Sequence, residues 1–209
     1  MRLNAAVCRP WAAVCLGVGL LASAPSVARA NTVAVSAGHT LVVTDAGVVY
    51  AFGDNSHGQA GQPAEMARVA APSLVPGLSE ITAVAAGAEH SLALDSHGRV
   101  WAFGGNGSKQ LGLEGVDSTS TPTLVPGLTD VVAIAAGDFH SVALTRSGSL
   151  FAWGLAAEGQ LDNGSTEDRA TPTLVRGLSG VVAIAAGGSH TLAVLGPLDR
   201  ARSSVRGQR

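Results

Sequence analysis

The chain has 209 residues, 46% of them hydrophobic but only 4% aromatic and 13% charged, with 27 glycines and a formal net charge of −2. Residues 31–195 alone carry 14 acidic against 6 basic side chains; so acidic a body gives nucleic-acid phosphates no electrostatic footprint. Both cysteines, Cys8 and Cys15, lie within the first 30 residues, so the remainder has neither a disulfide framework nor a thiolate metal site and must rely on an apolar core.

Arg2 and Arg9 precede an apolar run of 12 residues, Trp11 to Ala22, too short to cross a bilayer as a helix. Ala28-Arg29-Ala30 follows with small residues where a signal peptidase reads. Residues 1–30 are therefore expected to be a signal peptide cleaved before Asn31, with an N-terminal anchor as the alternative. The mature chain is then exported, to a periplasm, cell surface or medium, and holds no membrane contact. Neither cysteine follows a lipobox-like triplet.

Beyond the leader one residue order recurs, and a long fixed period is the signature of a repeat architecture. The histidines His39, His90, His140 and His190 are spaced 51, 50 and 50 residues apart. Each follows an apolar run ending in glycine: Val33 to Gly38, Ile81 to Gly87, Val131 to Gly137, Val181 to Gly187. After each histidine come Ser or Thr and a few aliphatics, then a turn glycine (Gly47, Gly98, Gly148) and an aromatic segment. These short, Val- and Leu-rich runs bounded by Gly, Ser, Asp and Pro predict strands joined by hairpins. In the pairs Tyr50/Phe52, Trp101/Phe103 and Phe151/Trp153 the rings are two residues apart, with an alanine between. Both rings then lie on one face of a strand, as packing between neighbouring sheets requires.

A variable connection leads to a fourth run, Pro72 to Leu78, Pro122 to Leu128 and Pro172 to Leu178. Its prolines predict an outer edge strand, where no partner needs the missing N–H. Four short strands per unit of about 50 residues is the composition of a β-propeller blade. The expected fold is all-β, a propeller of four-stranded antiparallel blades over 31–80, 81–130 and 131–180 and a partial unit over 181–195, about three and a third blades in all. Residues 196–209, with four arginines against Asp199, are expected to be a disordered basic tail.

The units resemble the repeats of the regulator-of-chromosome-condensation family, with the pattern A-G-x-x-H-S-x-A-L, G-x-V-x-x-W/F-G, then G-x-N-x-x-G-Q-L-G. The first unit departs in lacking two residues before His39 and in Ala60; the second has Lys109 where the pattern has Gly; the third has Ala156 for Asn and Asp162 for Gly. The resemblance implies a propeller, typically of about seven blades. Three readings of the shortfall stand side by side: a fragment or frameshifted product of a longer propeller, self-association that closes a ring, or a short open array. It also implies two kinds of activity, nucleotide exchange on a small GTPase and inhibition of an enzyme by a propeller face, with no residue here that identifies either target.

The four histidines do not predict a metal centre, because equivalent positions in successive blades are spread around a ring rather than gathered on one ion. No G-x-S-x-G elbow or H-E-x-x-H helix is present, and His-Ser neighbours on a strand point to opposite faces, so no catalytic residue, metal or cofactor is expected. The connections 54–71, 105–121 and 155–171 are equivalent in each unit and should emerge on one face, where repeat proteins bind partners. Their side chains His57, Arg68, Lys109, Glu114, Asp117, Glu158, Asp162, Glu167, Asp168 and Arg169 are the candidates for contact with an unidentified protein. The expected function is that of an exported, noncatalytic protein-binding scaffold.

Overall fold

The computed structural model of the chain describes residues 32–161 and 166–196. The expected leader, Asp162 and all but the first residue of the basic tail lie outside the described residues. Within them every regular element is a strand. The first blade is β1 (Val33–Val35), β2 (His39–Val43), β3 (Val49–Asp54) and β4 (Arg68–Leu74), the second β5 (Ile81–Ala86), β6 (His90–Asp95), β7 (Val100–Gly105) and β8 (Ser118–Leu124). The third is β9 (Val131–Ala136), β10 (His140–Thr145), β11 (Leu150–Gly154) and β12 (Arg169–Leu174), and β13 (Val181–Gly187) with β14 (His190–Leu195) forms a further hairpin. Each four-stranded sheet is an antiparallel meander in chain order. Among the described residues the array is open, with three complete blades and two strands in a fourth position.

Three apolar layers hold the blades face to face. Leu41, Val43, Val49 and Ala51 of the first blade pack with Val84, Ala93 and Phe103 of the second. Leu92, Leu94 and Val100 of the second pack with Ile134, Ala143 and Trp153 of the third. The third closes on the last hairpin through Val142, Leu144 and Leu150 against Ile184 and Ala193. Phe103 and Trp153 are completely buried between sheets, each worth about 3 kcal/mol or more of stability on truncation to alanine. The alternation of ring and alanine in the sequence thus becomes alternation between the two faces of one blade.

The outer strands begin earlier than their prolines suggest. β4, β8 and β12 start at Arg68, Ser118 and Arg169, so Pro72, Pro122 and Pro172 fall inside them, and Arg68 and Arg169 belong to strands rather than to loops. A register shift makes this possible: Ala51 pairs with Ser73 but Gly53 with Val69, and the same slip recurs at Gly104 and Gly154. Those glycines have φ of 111°, 110° and 102°, a conformation closed to residues with a Cβ. Being outermost, the strands lose no ladder bond to proline.

Candidate functional site

The repeated histidines join blade to blade. His39 Nε2 lies 2.7 Å from Ser91 Oγ, His90 Nε2 2.9 Å from Ser141 Oγ, and His140 Nε2 3.0 Å from Thr191 Oγ1, each hydroxyl belonging to the next blade. Each hydroxyl in turn donates to a main-chain carbonyl, of Gln59, Gln110 and Gln160. A hydroxyl has one hydrogen; since the carbonyl takes it, the imidazole must donate, which fixes the neutral Nε2–H tautomer. Burial lowers the His39 pKa to about 4 and that of His90 to about 3, the neighbouring His39 and His140 adding to the effect on His90. Burial also lowers His140, against the attraction of Asp138. The rings of His90, His140 and His190 lie over Gly87, Gly137 and Gly187, where a Cβ would strike the imidazole. The hydroxyl residue that follows each histidine in the sequence is therefore not its partner; the one a blade further on is. Among the described residues no three His, Cys, Asp or Glu side chains gather as a metal ion would need.

Gly38 departs from this pattern, since the Asp54 side chain, not the His39 ring, lies nearest to it. His39 instead receives the Ser36 hydroxyl on Nδ1 at 3.0 Å. His190 reaches the surface, and its ring meets no hydrogen-bond partner among the described residues.

The same glutamines shape the connections between third and fourth strands. The side-chain carbonyls of Gln59, Gln110 and Gln160 accept from the main-chain N–H of His57, Ser108 and Glu158. In the first two connections a buried asparagine ties the rest of the loop. Asn55 accepts from Ala60 and donates to the carbonyls of Gln62, Pro63 and Met66; Asn106 accepts from Leu111 and donates to Leu113 and Val116. Ala156 replaces this asparagine in the third connection, and there the Asp168 carboxylate accepts from Ala156 N at 3.0 Å. Lys109 keeps the left-handed backbone of the glycine it replaces, with φ of 64°. The loops are thus pinned from inside while their tips face solvent.

All three connections emerge at one end of the blades. His57, Arg68, Lys109, Glu114, Asp117, Glu158 and Glu167 are exposed there, and Asp168 and Arg169 are half-buried. Arg68 faces Asp54 across the ladder. Glu114 lines a hollow of about 470 Å³ with Val116, Ser118, Thr119 and Thr171, between the outer edges of the second and third blades. The turns between first and second strands open at the same end and add Glu89 and Asp138, which comparison of the longer loops alone had missed. Counting along the antiparallel meander would have found them, because the two residues before His90 or His140 vary between copies. Among the described residues this end carries nine carboxylates (Asp54, Glu65, Glu89, Glu114, Asp117, Asp138, Glu158, Glu167, Asp168) and three cations (Arg68, Lys109, Arg169). The opposite end carries Asp45, Glu80, Asp95 and Asp130 against Arg99, Arg146 and Arg176. Burial opposes ionisation of Asp54, but hydrogen bonds from Ser56 and Asn55 and the nearby His57 outweigh it and hold its carboxyl below the usual range.

The profile of the regulator of chromosome condensation (RCC1) repeat matches residues 46–94, 97–144 and 147–194. A second profile of the same description matches 31–59, 81–110 and 131–160. The first set straddles the blades, running from the third strand of one to the second strand of the next, so each repeat contains an interface. Protein RCC2 of Homo sapiens is 44% identical over 79 residues, 37% of this chain and 15% of that protein. The E3 ubiquitin-protein ligase HERC2 of Homo sapiens is 52% identical over 63 residues, 29% of this chain and 1% of the ligase. Among solved structures, human WBSCR16 superposes with a TM-score of 0.72 at 26% identity, over 79% of this chain and 44% of that one. Yeast RCC1 (Prp20), crystallised with Kap60 bound, superposes with a TM-score of 0.69 at 25% identity, over 78% and 41%. The chain spans less than half the length of each of these proteins.

Proposed function

The chain belongs to the regulator of chromosome condensation (RCC1) repeat family, and on that premise we propose that it is an exported, noncatalytic scaffold that binds another protein through the loop end of its blades. One observation carries the reading: among the described residues nine carboxylates stand against three cations at one end, around connections pinned from within, while the opposite end is almost balanced. Such a field selects a partner with a basic surface and speeds its approach more than it tightens the final complex. Loops already held by Asn55, Asn106 and the three glutamines lose little freedom on binding, which favours affinity. The yeast relative with Kap60 bound is a family propeller in complex with a protein. Export rests on the leader, with its basic start, short apolar run and Ala28-Arg29-Ala30.

The test is affinity capture from the exported fraction of the source cell, followed by titration of what is retained. Glu114→Gln, Asp117→Asn and Glu158→Gln together should weaken binding tenfold or more by about 1.4 kcal/mol per decade, without lowering the melting temperature. Asp45→Asn with Asp130→Asn, at the opposite end, should leave affinity unchanged. Weakening by the second set and not by the first would move the site elsewhere. For export, sequencing the N-terminus of the secreted product should return Asn31 as its first residue.

A further inference from the structure

We propose that this chain associates head to tail with a second copy, the imidazole end of one array seated on the hydroxyl end of the other. The two open flanks of the array are sheet faces, distinct from the acidic loop end. Within the chain one interface is made three times: an imidazole on one blade, a hydroxyl on the next, and interleaved aliphatic and aromatic side chains around them. The flanks carry its two unmatched halves. Thr40 occupies the place of Ser91, Ser141 and Thr191, opposite Phe52 on the ladder as Ser91 is opposite Phe103, and its hydroxyl has no hydrogen-bond partner among the described residues. His190 occupies the place of the bonded histidines, its ring over Gly187 as His140 lies over Gly137, and it too is unpaired.

The apolar surroundings match as well. Leu41 faces the second blade, so period-two alternation and the ladder partners put Val33, Val35, Val42 and Tyr50 on the open flank. Val33 is 53% and Val35 68% exposed. At the other flank Thr191 and Ala193 face the third blade, leaving Leu192 and Val194 outward at 60% and 56% exposure. A sheet face this apolar is a binding surface, and its complement is already present on the opposite flank of the same molecule. Such an interface is heterologous, one patch on a different patch, and closes only if the rotation per copy divides the circle. The described residues of each copy fill four blade positions, three complete and one of two strands, so those of two copies fall within the roughly four to eight blades over which propellers close. Three and a third units doubled come near seven; the inner hairpin takes a whole position, which raises that count.

Sedimentation velocity of the 209-residue chain over micromolar concentrations should show its mass double. Val35→Asp and Leu192→Asp each spoil one flank, and each variant alone should stay monomeric. Mixed in equal amounts they should restore a one-to-one dimer, because one keeps an intact imidazole end and the other an intact hydroxyl end. Both sites are exposed, so far-UV circular dichroism should match the parent, and the urea midpoint should match that of the parent diluted to monomer. A parent chain monomeric throughout, association retained by either variant alone, or failure of the mixture overturns the proposal.

Discussion

Replacing Ser91 and Ser141 separately with alanine weighs the link between blades. Both hydroxyls are completely buried, and each accepts from an imidazole and donates to a glutamine main-chain carbonyl. The two sites differ in what remains after the hydroxyl is gone. At the first, the His39 Nε2–H and the Gln59 carbonyl both lose their partner. At the second, Trp153 Nε1 still donates to the Gln110 carbonyl at 2.9 Å, so only the His90 Nε2–H is orphaned. The equivalent ring beside Gln59 is Phe103, which has no N–H to give. A buried group left unpaired costs about 1–3 kcal/mol. Ser141→Ala should therefore cost about 2 kcal/mol and Ser91→Ala about 4 kcal/mol. Urea unfolding followed by far-UV circular dichroism measures both. Adding Trp153→Phe to Ser141→Ala should widen the loss by more than Trp153→Phe costs alone, since it strips the carbonyl of its last donor. Equal costs for the two serines, or a larger cost for Ser141→Ala, would refute the tautomer and the double role of the hydroxyl.

Acid should loosen the array. The unfolded histidines titrate near pH 6.5, while His39 and His90 in the fold titrate at about 4 and about 3. Between those values the unfolded chain binds more protons, so stability is full above about pH 6.5 and declines as pH falls, by about 2 kcal/mol per histidine at pH 5; urea midpoints unchanged from pH 8 to 5 would contradict this. Lys109→Gly should stabilise the chain by about 1 kcal/mol, because it relieves a left-handed backbone with φ of 64°, and a lower melting temperature would count against that conformation. Gly87→Ala should cost about 3 kcal/mol or more: its Cβ would meet the His90 ring and come within 2.5 Å of the Gly137 carbonyl, and thermal unfolding close to the parent would show that the ring lies elsewhere.

The strands were legible because glycine, histidine and ring recur at fixed distances, and because runs of Val, Leu and Ala between glycines leave no helical period. The ring-alanine-ring pattern disclosed that each sheet has two packed faces. The start of the outer strands was not legible. Arg68 and Arg169 follow connections of variable sequence, residues 118–121 are all Ser or Thr, and the pairing slips at Gly53, Gly104 and Gly154. Polar residues on an edge carry no hydrophobic period to mark where pairing begins. The partner of each histidine was hidden for a different reason. His90 is next to Ser91 in the chain but bonds Ser141, and only the stacking of blades brings those two together. Of the candidate binding residues, the loop tips could be chosen by comparing copies. The charge of the whole end could not, because Glu89 and Asp138 come from turns two strands away from Lys109 or Glu158.

The most direct measurement is the affinity of the captured partner for the parent chain, for the Glu114→Gln, Asp117→Asn, Glu158→Gln variant and for the Asp45→Asn, Asp130→Asn variant, at low and high salt. The acidic loop end predicts weaker binding for the first variant alone, with a smaller dependence on salt because fewer charges remain to be screened. Equal affinities across all three proteins, or a loss confined to the second variant, would contradict it.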